Sequence, residues 1–334
     1  MDYLFLLGVD GGATKTVAIV ADEKGTLYGV GCSGSASHHF VGREAAKLNV
    51  YTAVEEALRS ADLNWNDIDG VCYGLSSVGD SPMDTEIVRE FVSEITPVDF
   101  ILVNDVVNAY YATCLGEPGV VVVAGTGSIA YGRSGIYEAR VGGWGQLIGD
   151  EGSAVYIAKR ALQEATRAYD GRREYTILVD RIPKALGFRS LEEVSFSIMT
   201  MRLSLIELAK IAPIVAEAAA NGDKAAMEII EDSGRELALL AVACLRKLKL
   251  ERGVVGASGG VFKCGGLLWD TFTSTIISIY PGVEIIGPIY GWQPAAGAIF
   301  LAAYEKDVRI GRSELSRLME ALRIEENRLS RYPT

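Results

Sequence analysis

A buried strand that ends in a turn of glycine and hydroxyl residues occurs twice in this chain of 334 residues. The first copy is residues 4–16, where an apolar run leads into GVDGGATKT, and the second is residues 120–128, where VVVVA leads into GTGS. Strand and helix patterns alternate between the two copies, which is typical of a sheet covered by helices. We therefore predict an α/β fold built from two copies of one unit, with a ligand bound between them.

The charge and the apolar patterning exclude two kinds of partner. Lys and Arg together number 32 and Asp and Glu 43, which gives a net charge of −11. A nucleic acid or an anionic membrane surface requires a basic face on the protein. The longest apolar stretches, residues 237–245 and 295–304, are far shorter than the ~18–20 residues of a membrane span. We therefore expect neither nucleic acid nor membrane as a partner.

The cysteines and histidines are not spaced like the ligands of a structural metal site. The five cysteines are scattered and include no CxxC pair, which is typical of free thiols in a reducing cytoplasm. The histidines are the adjacent pair His38 and His39, and no further ligands follow at the spacing of a zinc site. We predict a cytoplasmic protein with neither a disulfide framework nor a zinc site.

The first turn, within GVDGGATKT, combines a carboxylate with glycines, hydroxyls and a lysine. Asp10 ends a buried strand and is suited to hold a hydrated Mg²⁺, while Gly11 and Gly12 let backbone N–H groups converge on a phosphate. The turn is not a Walker A loop, because Thr14 separates Gly12 from Lys15. An ordinary hairpin turn is the alternative, and the carboxylate at the strand end favours the phosphate site.

The second turn, GTGSIA at residues 125–130, matches the loose dinucleotide-binding pattern after a strand. That pattern requires a helix to begin within the motif, whereas here Tyr131 and Gly132 indicate another hairpin. We therefore reject dinucleotide binding and predict a second phosphate-binding turn. The hydroxyls of Thr126 and Ser128 are its additional donors.

An aspartate follows the predicted strand at residues 100–103, within LVNDVVNAYYA. Asp105 lies at the carboxyl end of that strand, where a doubly wound sheet presents its ligands. It also lies at a helix start, where either Asn104 or Asp105 would serve as the N-cap. Next to two phosphate turns, we predict that Asp105 is a general base.

Four glycines surround Trp144 in GGWGQLIGDEGS, residues 142–153. A flat indole is a good platform for a sugar ring, and the carboxylates of Asp150 and Glu151 can accept sugar hydroxyls. The alternative is that the two carboxylates only favour the first turn of the following helix. A tryptophan among four glycines is poorly explained as core, so we predict a sugar site.

A last glycine-rich segment, GASGGVFKCGG at residues 256–266, contains the G-x-S-x-G pattern of hydrolases. A hydrolase of that order needs a histidine after the serine, and both histidines lie far upstream. We predict instead a Gly-Gly turn against which a flat base can lie.

In this order the five motifs resemble the actin-like ATPase superfamily of sugar kinases, actin and Hsp70. The resemblance is closest to the BadF/BadG/BcrA/BcrD ATPase-domain family, which includes N-acetylglucosamine kinase and some archaeal hexokinases. GGWG followed by GDEGS is its most specific part. It implies two actin-like (ribonuclease H-like) α/β domains with a nucleotide cleft between them. The expected domains are residues 1–112 with a C-terminal helix at 305–334, and residues 113–304.

The resemblance also implies a role for each motif residue. Asp10 is the metal ligand and Asp105 the general base. ATP is contacted by Gly11, Gly12, Thr14, Lys15, Gly125, Thr126, Gly127, Ser128, Gly259 and Gly260. The sugar is contacted by Ser37, His38, Gly143, Trp144 and Asp150. The chain departs from the family at Ser37, where amino-sugar kinases carry asparagine, and it lacks the cluster cysteines of the dehydratase activators.

The function that the resemblance implies is ATP-dependent phosphorylation of a carbohydrate. The γ-phosphate of Mg-ATP would pass to a hydroxyl of a sugar, amino sugar or sugar acid, with N-acetylglucosamine, glucose and 2-keto-3-deoxygluconate as candidates. The alternatives are an ATPase coupled to a partner protein, as in the dehydratase activators, and a non-catalytic sugar or nucleotide sensor. Related enzymes are often dimers, so the resemblance implies a homodimer.

Overall fold

Two five-stranded sheets with the same strand order organise the described residues, 4–330, of the computed structural model. The strands are β1 (Phe5–Gly11), β2 (Thr16–Asp22), β3 (Leu27–Ser33), β4 (Gly70–Leu75), β5 (Ile101–Val103), β6 (Gly119–Ala124), β7 (Ser128–Ser134), β8 (Tyr137–Gly142), β9 (Gly253–Ser258) and β10 (Val283–Ile289). Their orders are β3-β2-β1-β4-β5 and β8-β7-β6-β9-β10. The predicted duplication of one α/β unit is thereby confirmed.

The two sheets share the direction of their strands as well as the order. In each, the first three strands form an antiparallel meander, β1-β2-β3 and β6-β7-β8. The next strand returns parallel to the first, so that β4 pairs with β1 and β9 pairs with β6. The first and second glycine turns therefore each join the first strand of a sheet to its antiparallel neighbour. Each turn lies next to the end of a parallel strand.

Helices cover the sheets. They are α1 (His38–Val41), α2 (Arg43–Ala61), α3 (Pro82–Ile95), α4 (Asp105–Cys114), α5 (Ala154–Tyr169), α6 (Leu178–Leu186), α7 (Leu191–Met199), α8 (Leu205–Ala209), α9 (Ile211–Ala220), α10 (Lys224–Leu248), α11 (Gly266–Ile279), α12 (Ala295–Tyr304) and α13 (Arg312–Ser330), with 3₁₀ turns at Trp65–Asp67 and Gly260–Lys263. Within residues 4–330, none of these helices has both the length and the apolar character needed to cross a membrane.

The described chain divides into two compact units. The first consists of residues 4–117 and 289–330, and the second is Pro118–Pro288. The sequence predicts boundaries after residues 112 and 304 instead. The first of these lies inside α4, and the second would separate α12 from β1, β4 and α4, against which it packs. The last four residues of the helix predicted at 305–334 lie outside the described residues.

The contact between α12 and α4 depends on the absence of a side chain at Gly297. A Cβ built there would overlap the carbonyl oxygen of Asn108 and would lie 2.9 Å from the backbone nitrogen of Ala112. Backbone cannot move aside as the end of a flexible side chain can. The close approach of the two helices therefore requires glycine at this position.

We expect Gly297→Ala to lower the free energy of unfolding by about 1–3 kcal/mol, the usual cost of overpacking a well-packed contact. Urea unfolding followed by circular dichroism measures this change. Gly311→Ala is the matched control, because its Cβ would meet only the carboxylate end of Glu314. Equal unfolding midpoints for the two variants would contradict the proposed close contact.

Candidate active site

The carboxyl ends of three parallel strands bring the polar residues of the first unit together. β4 pairs with β1 up to Gly11 and Leu75, and with β5 up to Gly74 and Val103. The first glycine turn, the segment after β4 and the start of α4 therefore lie along one edge of the sheet. This is the edge at which sheets of this kind present ligand-binding residues.

The carboxylate of Asp10 is held by a buried amide from α4. Asn108 Nδ2 donates to Asp10 Oδ1 over 2.9 Å and to the carbonyl oxygen of Val9 over 3.0 Å. Asn108 is fully buried, and its Oδ1 has no hydrogen-bond partner among the described residues. Asn108 is not among the site residues that the sequence predicts. Its position on the apolar face of a helix, one turn after Asp105, was the available signal.

Burial raises the pKa of Asp10 to about 6, and it does so by removing water from the charged form. The hydrogen bond from Asn108 and the positive charge of Lys15 act in the opposite direction and offset part of this effect. The ionised carboxylate of Asp10 therefore lowers the stability of the folded state. A cation placed beside it would relieve that cost.

Asp105 lies next to the first glycine turn and is not the cap of its helix. The N-cap of α4 is Asn104, whose side chain accepts a hydrogen bond from the backbone nitrogen of Val106 over 3.1 Å. Asn104 also donates to the carbonyl oxygen of Val78 over 2.7 Å. A Cβ built on Gly12 would lie 3.5 Å from Asp105 Oδ2. The N-cap role considered for Asp105 is therefore filled by Asn104.

The first turn is a tight hairpin that has no room for a side chain at its start. A Cβ at Gly11 would lie 2.6 Å from Leu75 Cδ2. The backbone nitrogen of Gly12 donates to the carbonyl oxygen of Lys15 over 2.9 Å. Lys15 forms an ion pair of 3.4 Å with Glu326 of α13, and Thr14 is exposed. The turn thus places a lysine and an exposed hydroxyl beside Asp10.

The segment that carries Ser37 and His38 is tied to this turn. Ser35 Oγ donates to the carbonyl oxygen of Gly12 over 3.3 Å and accepts from the backbone nitrogen of Ser37 over 3.1 Å. Ser37 is buried, with its Oγ 3.5 Å from that of Ser77. His38 Nε2 lies 2.9 Å from Asp84 Oδ1, and its Nδ1 has no partner within the described part of the chain.

The second turn, in the other unit, is bonded to the start of α5. The backbone nitrogen of Ala154 donates to the carbonyl oxygen of Gly125 over 2.9 Å. Ser128 Oγ donates to the carbonyl oxygen of Glu151 over 2.7 Å, and Ser128 is buried. The hydroxyl of Ser128, predicted to donate to a phosphate, thus donates to the backbone of Glu151 in this structure. Thr126 is partly exposed in the same turn.

Asp150 joins the second turn to the tryptophan loop. Its carboxylate accepts hydrogen bonds from the backbone N–H groups of Gly145 and Ser128, and its backbone is in the left-handed region at φ 57°. A Cβ at Gly127 would lie 2.6 Å from Asp150 Oδ2, so a side chain there would displace this carboxylate. Burial raises the pKa of Asp150, and the two backbone hydrogen bonds lower it in part.

Trp144 lies on an exposed loop between β8 and α5. Its side chain is 74% exposed, which excludes a role in the core of its unit. Gly143 and Gly145 on either side have φ angles of 69° and 86°, in the region that favours glycine. Arg140 donates to the carbonyl oxygen of Gly143 over 3.2 Å. The loop therefore presents a large flat ring on a defined backbone.

The glycines at the end of β9 lie beside the end of β6. Gly259 has a φ of 110°, and a Cβ there would overlap the carbonyl oxygen of Ala124. A Cβ on Gly260, by contrast, would meet no atom within 4 Å. Gly259 is thus required for the close packing of backbone, while Gly260 leaves open space against which a flat group can lie.

A family model now accounts for these motifs as one set. The model of the BadF/BadG/BcrA/BcrD ATPase family matches residues 7–302. The chain belongs to this family. The match confirms the family that the motifs predict, over nearly the whole chain.

Proteins of known name are similar to this chain over about nine-tenths of its length. The chain is 29% identical over 307 residues to the N-acetylmuramic acid/N-acetylglucosamine kinase of Clostridium acetobutylicum, covering 91% of this chain and 99% of that protein. It is also 29% identical to the N-acetyl-D-glucosamine kinase of Dictyostelium discoideum, covering 90% and 98%. A candidate N-acetylglucosamine kinase from Chromobacterium violaceum has a similar structure, with a TM-score of 0.72, 24% identity, and coverage of 90% and 100%. The likeness confirms the predicted actin-like α/β fold.

The residues present fit the nucleotide and the metal ion that an ATPase family implies. A Cβ on Gly125 would have no atom within 4 Å, as on Gly260, so open space lies against the backbone at both turns. Asp10 offers a carboxylate, the ligand type that Mg²⁺ prefers, and Mg²⁺ bound by one carboxylate retains several waters. Thr14 and Thr126 add exposed or partly exposed hydroxyls.

The raised pKa of Asp10 predicts a stability that depends on pH. Both states of the protein hold the proton below the ordinary pKa of 3.8, and the cost of the buried charge grows as the pH rises from there through about 6. We therefore expect Asp10→Asn to be more stable than the parent at neutral pH, by about 1–3 kcal/mol at ~1.4 kcal/mol per pKa unit.

Unfolding midpoints measured without Mg²⁺ between about pH 4 and pH 8 test this expectation. The advantage of Asp10→Asn should shrink towards the acid end. Asp99→Asn, at an exposed aspartate of the same unit, is the control. A stability difference between Asp10→Asn and the parent that is constant across this range would show that the Asp10 carboxylate carries no burial cost.

Proposed function

We propose that this protein is an ATP-dependent sugar kinase, which transfers the γ-phosphoryl group of Mg-ATP to a hydroxyl of a sugar, amino sugar or sugar acid. The observation that carries the proposal is the position of Asp105, whose carboxylate lies against Gly12 while Asn104 caps the helix. A carboxylate placed next to a phosphate-binding turn is the base that such a transfer needs. The names of the curated relatives support the same reaction.

Phosphoryl transfer asks the protein mainly to position groups and to stabilise charge. We assign the phosphates to the two glycine turns, through the hydroxyls of Thr14 and Thr126. Asp10 would hold Mg²⁺, which when bound supplies positive charge to offset the phosphate oxygens. Lys15 adds a positive charge beside Asp10, and Glu326 restricts where that charge lies.

Asp105 would take the proton of the attacking hydroxyl as its oxygen bonds to the γ-phosphorus. The bond to the leaving oxygen of ADP breaks in the same step, and the proton passes from Asp105 to solvent after transfer. The short and buried connections of α4 suit this role, because Asn108 fixes the helix to β1 one turn after Asp105. A base held by buried hydrogen bonds meets the reacting oxygen in one geometry.

The sugar is assigned to the exposed ring of Trp144, next to Gly143, and to the segment around Ser37 and His38. The acceptor we favour is of the N-acetylglucosamine type, because both curated relatives named above are kinases of N-acetylglucosamine. Glucose and 2-keto-3-deoxygluconate are the other candidates, since Ser37 replaces the asparagine of amino-sugar kinases. Asp150 would act through the loop, because its carboxylate already accepts two backbone hydrogen bonds.

The setting that we propose for this kinase is a homodimer in a reducing cytoplasm. All five cysteines are free thiols, and four of them are buried. Burial raises the pKa of each buried thiol for which a shift is resolved, so these groups are inert side chains and not reactive ones.

A coupled assay of ADP release tests the proposed function. We expect ADP release in the presence of Mg-ATP to depend on one acceptor among N-acetylglucosamine, N-acetylmuramic acid, glucosamine, glucose and 2-keto-3-deoxygluconate. Mass spectrometry of the product should show one added phosphate. ATP turnover that is independent of every acceptor would favour the coupled ATPase. Ligand binding without turnover would favour the sensor.

The substitution Asp105→Asn tests whether Asp105 is a catalytic base or only a residue at the start of its helix. A positioned base contributes typically ~10²–10⁴-fold, so we expect kcat to fall by about this factor while both substrates still bind. The unfolding midpoint should change little. Asn104→Ala should lower the unfolding free energy by about 1 kcal/mol through loss of the cap. A near-parental kcat for Asp105→Asn, at saturating acceptor, would remove Asp105 from the catalytic residues.

A further inference from the structure

Two histidines and an aspartate meet where the chain enters α1. His38 Nε2 lies 2.9 Å from Asp84 Oδ1, and His39 Nε2 lies 3.1 Å from the same oxygen. All three atoms lie within 4.8 Å of one another. The two imidazole rings lie side by side, with centroids 4.1 Å apart and planes inclined by 37°. Two nitrogens and one oxygen therefore point at one small volume.

The aspartate is fixed independently of the histidines. Ser81, the N-cap of α3, donates from its Oγ to Asp84 Oδ2 over 2.5 Å and accepts from the backbone nitrogen of Asp84 over 3.0 Å. The bond from Ser81 Oγ engages Oδ2, while Oδ1 is directed at the imidazoles. A ligand oxygen oriented by its own hydrogen bonds is typical of protein metal centres.

The burial of the two histidines differs in a way that suits an accessible ion. The side chain of His38 is 9% exposed, and that of His39 is 53% exposed. One ligand is therefore held by the protein, and the other faces solvent on the side from which an ion would enter. The open side leaves room for water as a further ligand, as in zinc sites with three protein ligands.

We propose that His38, His39 and Asp84 form a binding site for a transition-metal cation of the Zn²⁺ class. A tetrahedral ion with ligand bonds of ~2.0–2.2 Å holds its ligand atoms roughly 3.3–3.6 Å apart. The two nitrogen–oxygen separations of 2.9 and 3.1 Å need to open by only a few tenths of an ångström, and the two nitrogens lie within 4.8 Å of each other. Imidazole nitrogen suits Zn²⁺ and its neighbours, whereas Mg²⁺ prefers oxygen ligands. The site is therefore distinct in chemistry from the carboxylate of Asp10.

Metal at this site would join two segments that are distant in sequence, and this distance is why the spacing of the histidines alone predicts no zinc site. His38 and His39 open α1, and Asp84 lies in the first turn of α3, 46 residues after His38. The histidines follow directly on Ser37, whose backbone is bonded to Ser35 next to Gly12. We assign the ion a structural role, in which it holds this segment against α3.

Titration of the full-length protein with Co²⁺ tests the site, because tetrahedral Co²⁺ absorbs visible light and stands in for Zn²⁺. We expect one Co²⁺ per chain, with d–d absorption and without the charge-transfer band of a cysteine ligand. Zn²⁺ should displace Co²⁺, since it binds such sites more tightly, and excess Mg²⁺ should not. The readout is metal binding, so the result is independent of the proposed kinase activity.

Three variants locate the ion. His39→Gln and Asp84→Asn should each weaken Co²⁺ binding by more than about tenfold, because even outer contacts of a metal site are worth ~10–100-fold in affinity. Glu86→Gln removes an exposed carboxylate from the same helix and should bind Co²⁺ as the parent does. His39 is largely exposed, so its variant is expected to fold, and circular dichroism checks this.

Three results would overturn the proposal. The first is the absence of Co²⁺ binding to the parent protein. The second is parental affinity in both His39→Gln and Asp84→Asn. The third is a charge-transfer band, which would place the ion on one of the five cysteines instead.

Discussion

One buried amide, that of Asn108, holds several elements of the first unit together. It donates to the carboxylate of Asp10 and to the carbonyl oxygen of Val9, and so joins α4 to the end of β1. Its space is available only because two neighbours lack side chains. A Cβ on Gly74 would overlap the Asn108 amide, and a Cβ on Gly297 would overlap its carbonyl oxygen. Two strands and two helices are therefore packed around a single polar residue.

In this arrangement the negative charge of Asp10 lowers the stability of the fold. Asp10 would cost less if it were neutral, since burial raises its pKa to about 6. The fold retains the carboxylate and partly offsets its cost with an amide hydrogen bond and the charge of Lys15. Unfavourable groups of this kind are expected at functional sites, where residues are retained for their chemistry although they lower stability. The same hydrogen bonds hold α4, and with it Asp105, in one position.

The repeated turn motif was sufficient to predict the duplicated sheets, because turn chemistry and apolar runs are local. The strand predicted at residues 100–103 is observed as β5, Ile101–Val103. The pairs that position the site were not predictable, since each joins residues far apart in the chain. Asp10 and Asn108 are separated by 98 residues, and Lys15 and Glu326 by 311. The bounds of the two compact units differ from the predicted domain bounds for the same reason, because the packing of α12 on β1 is a long-range contact.

Two aspartates of the predicted motifs, Asp10 in the first unit and Asp150 in the second, show why residue type alone does not assign a role. Burial raises the pKa of both. Asp10 receives a side-chain amide and lies beside a lysine, so its charge remains available to a cation. Asp150 receives backbone N–H groups of Gly145 and Ser128, so its oxygens are engaged in joining two loops. A carboxylate engaged in this way determines where the tryptophan loop lies. Under the proposed function, selectivity for the sugar would depend on what that loop presents, above all the exposed ring of Trp144.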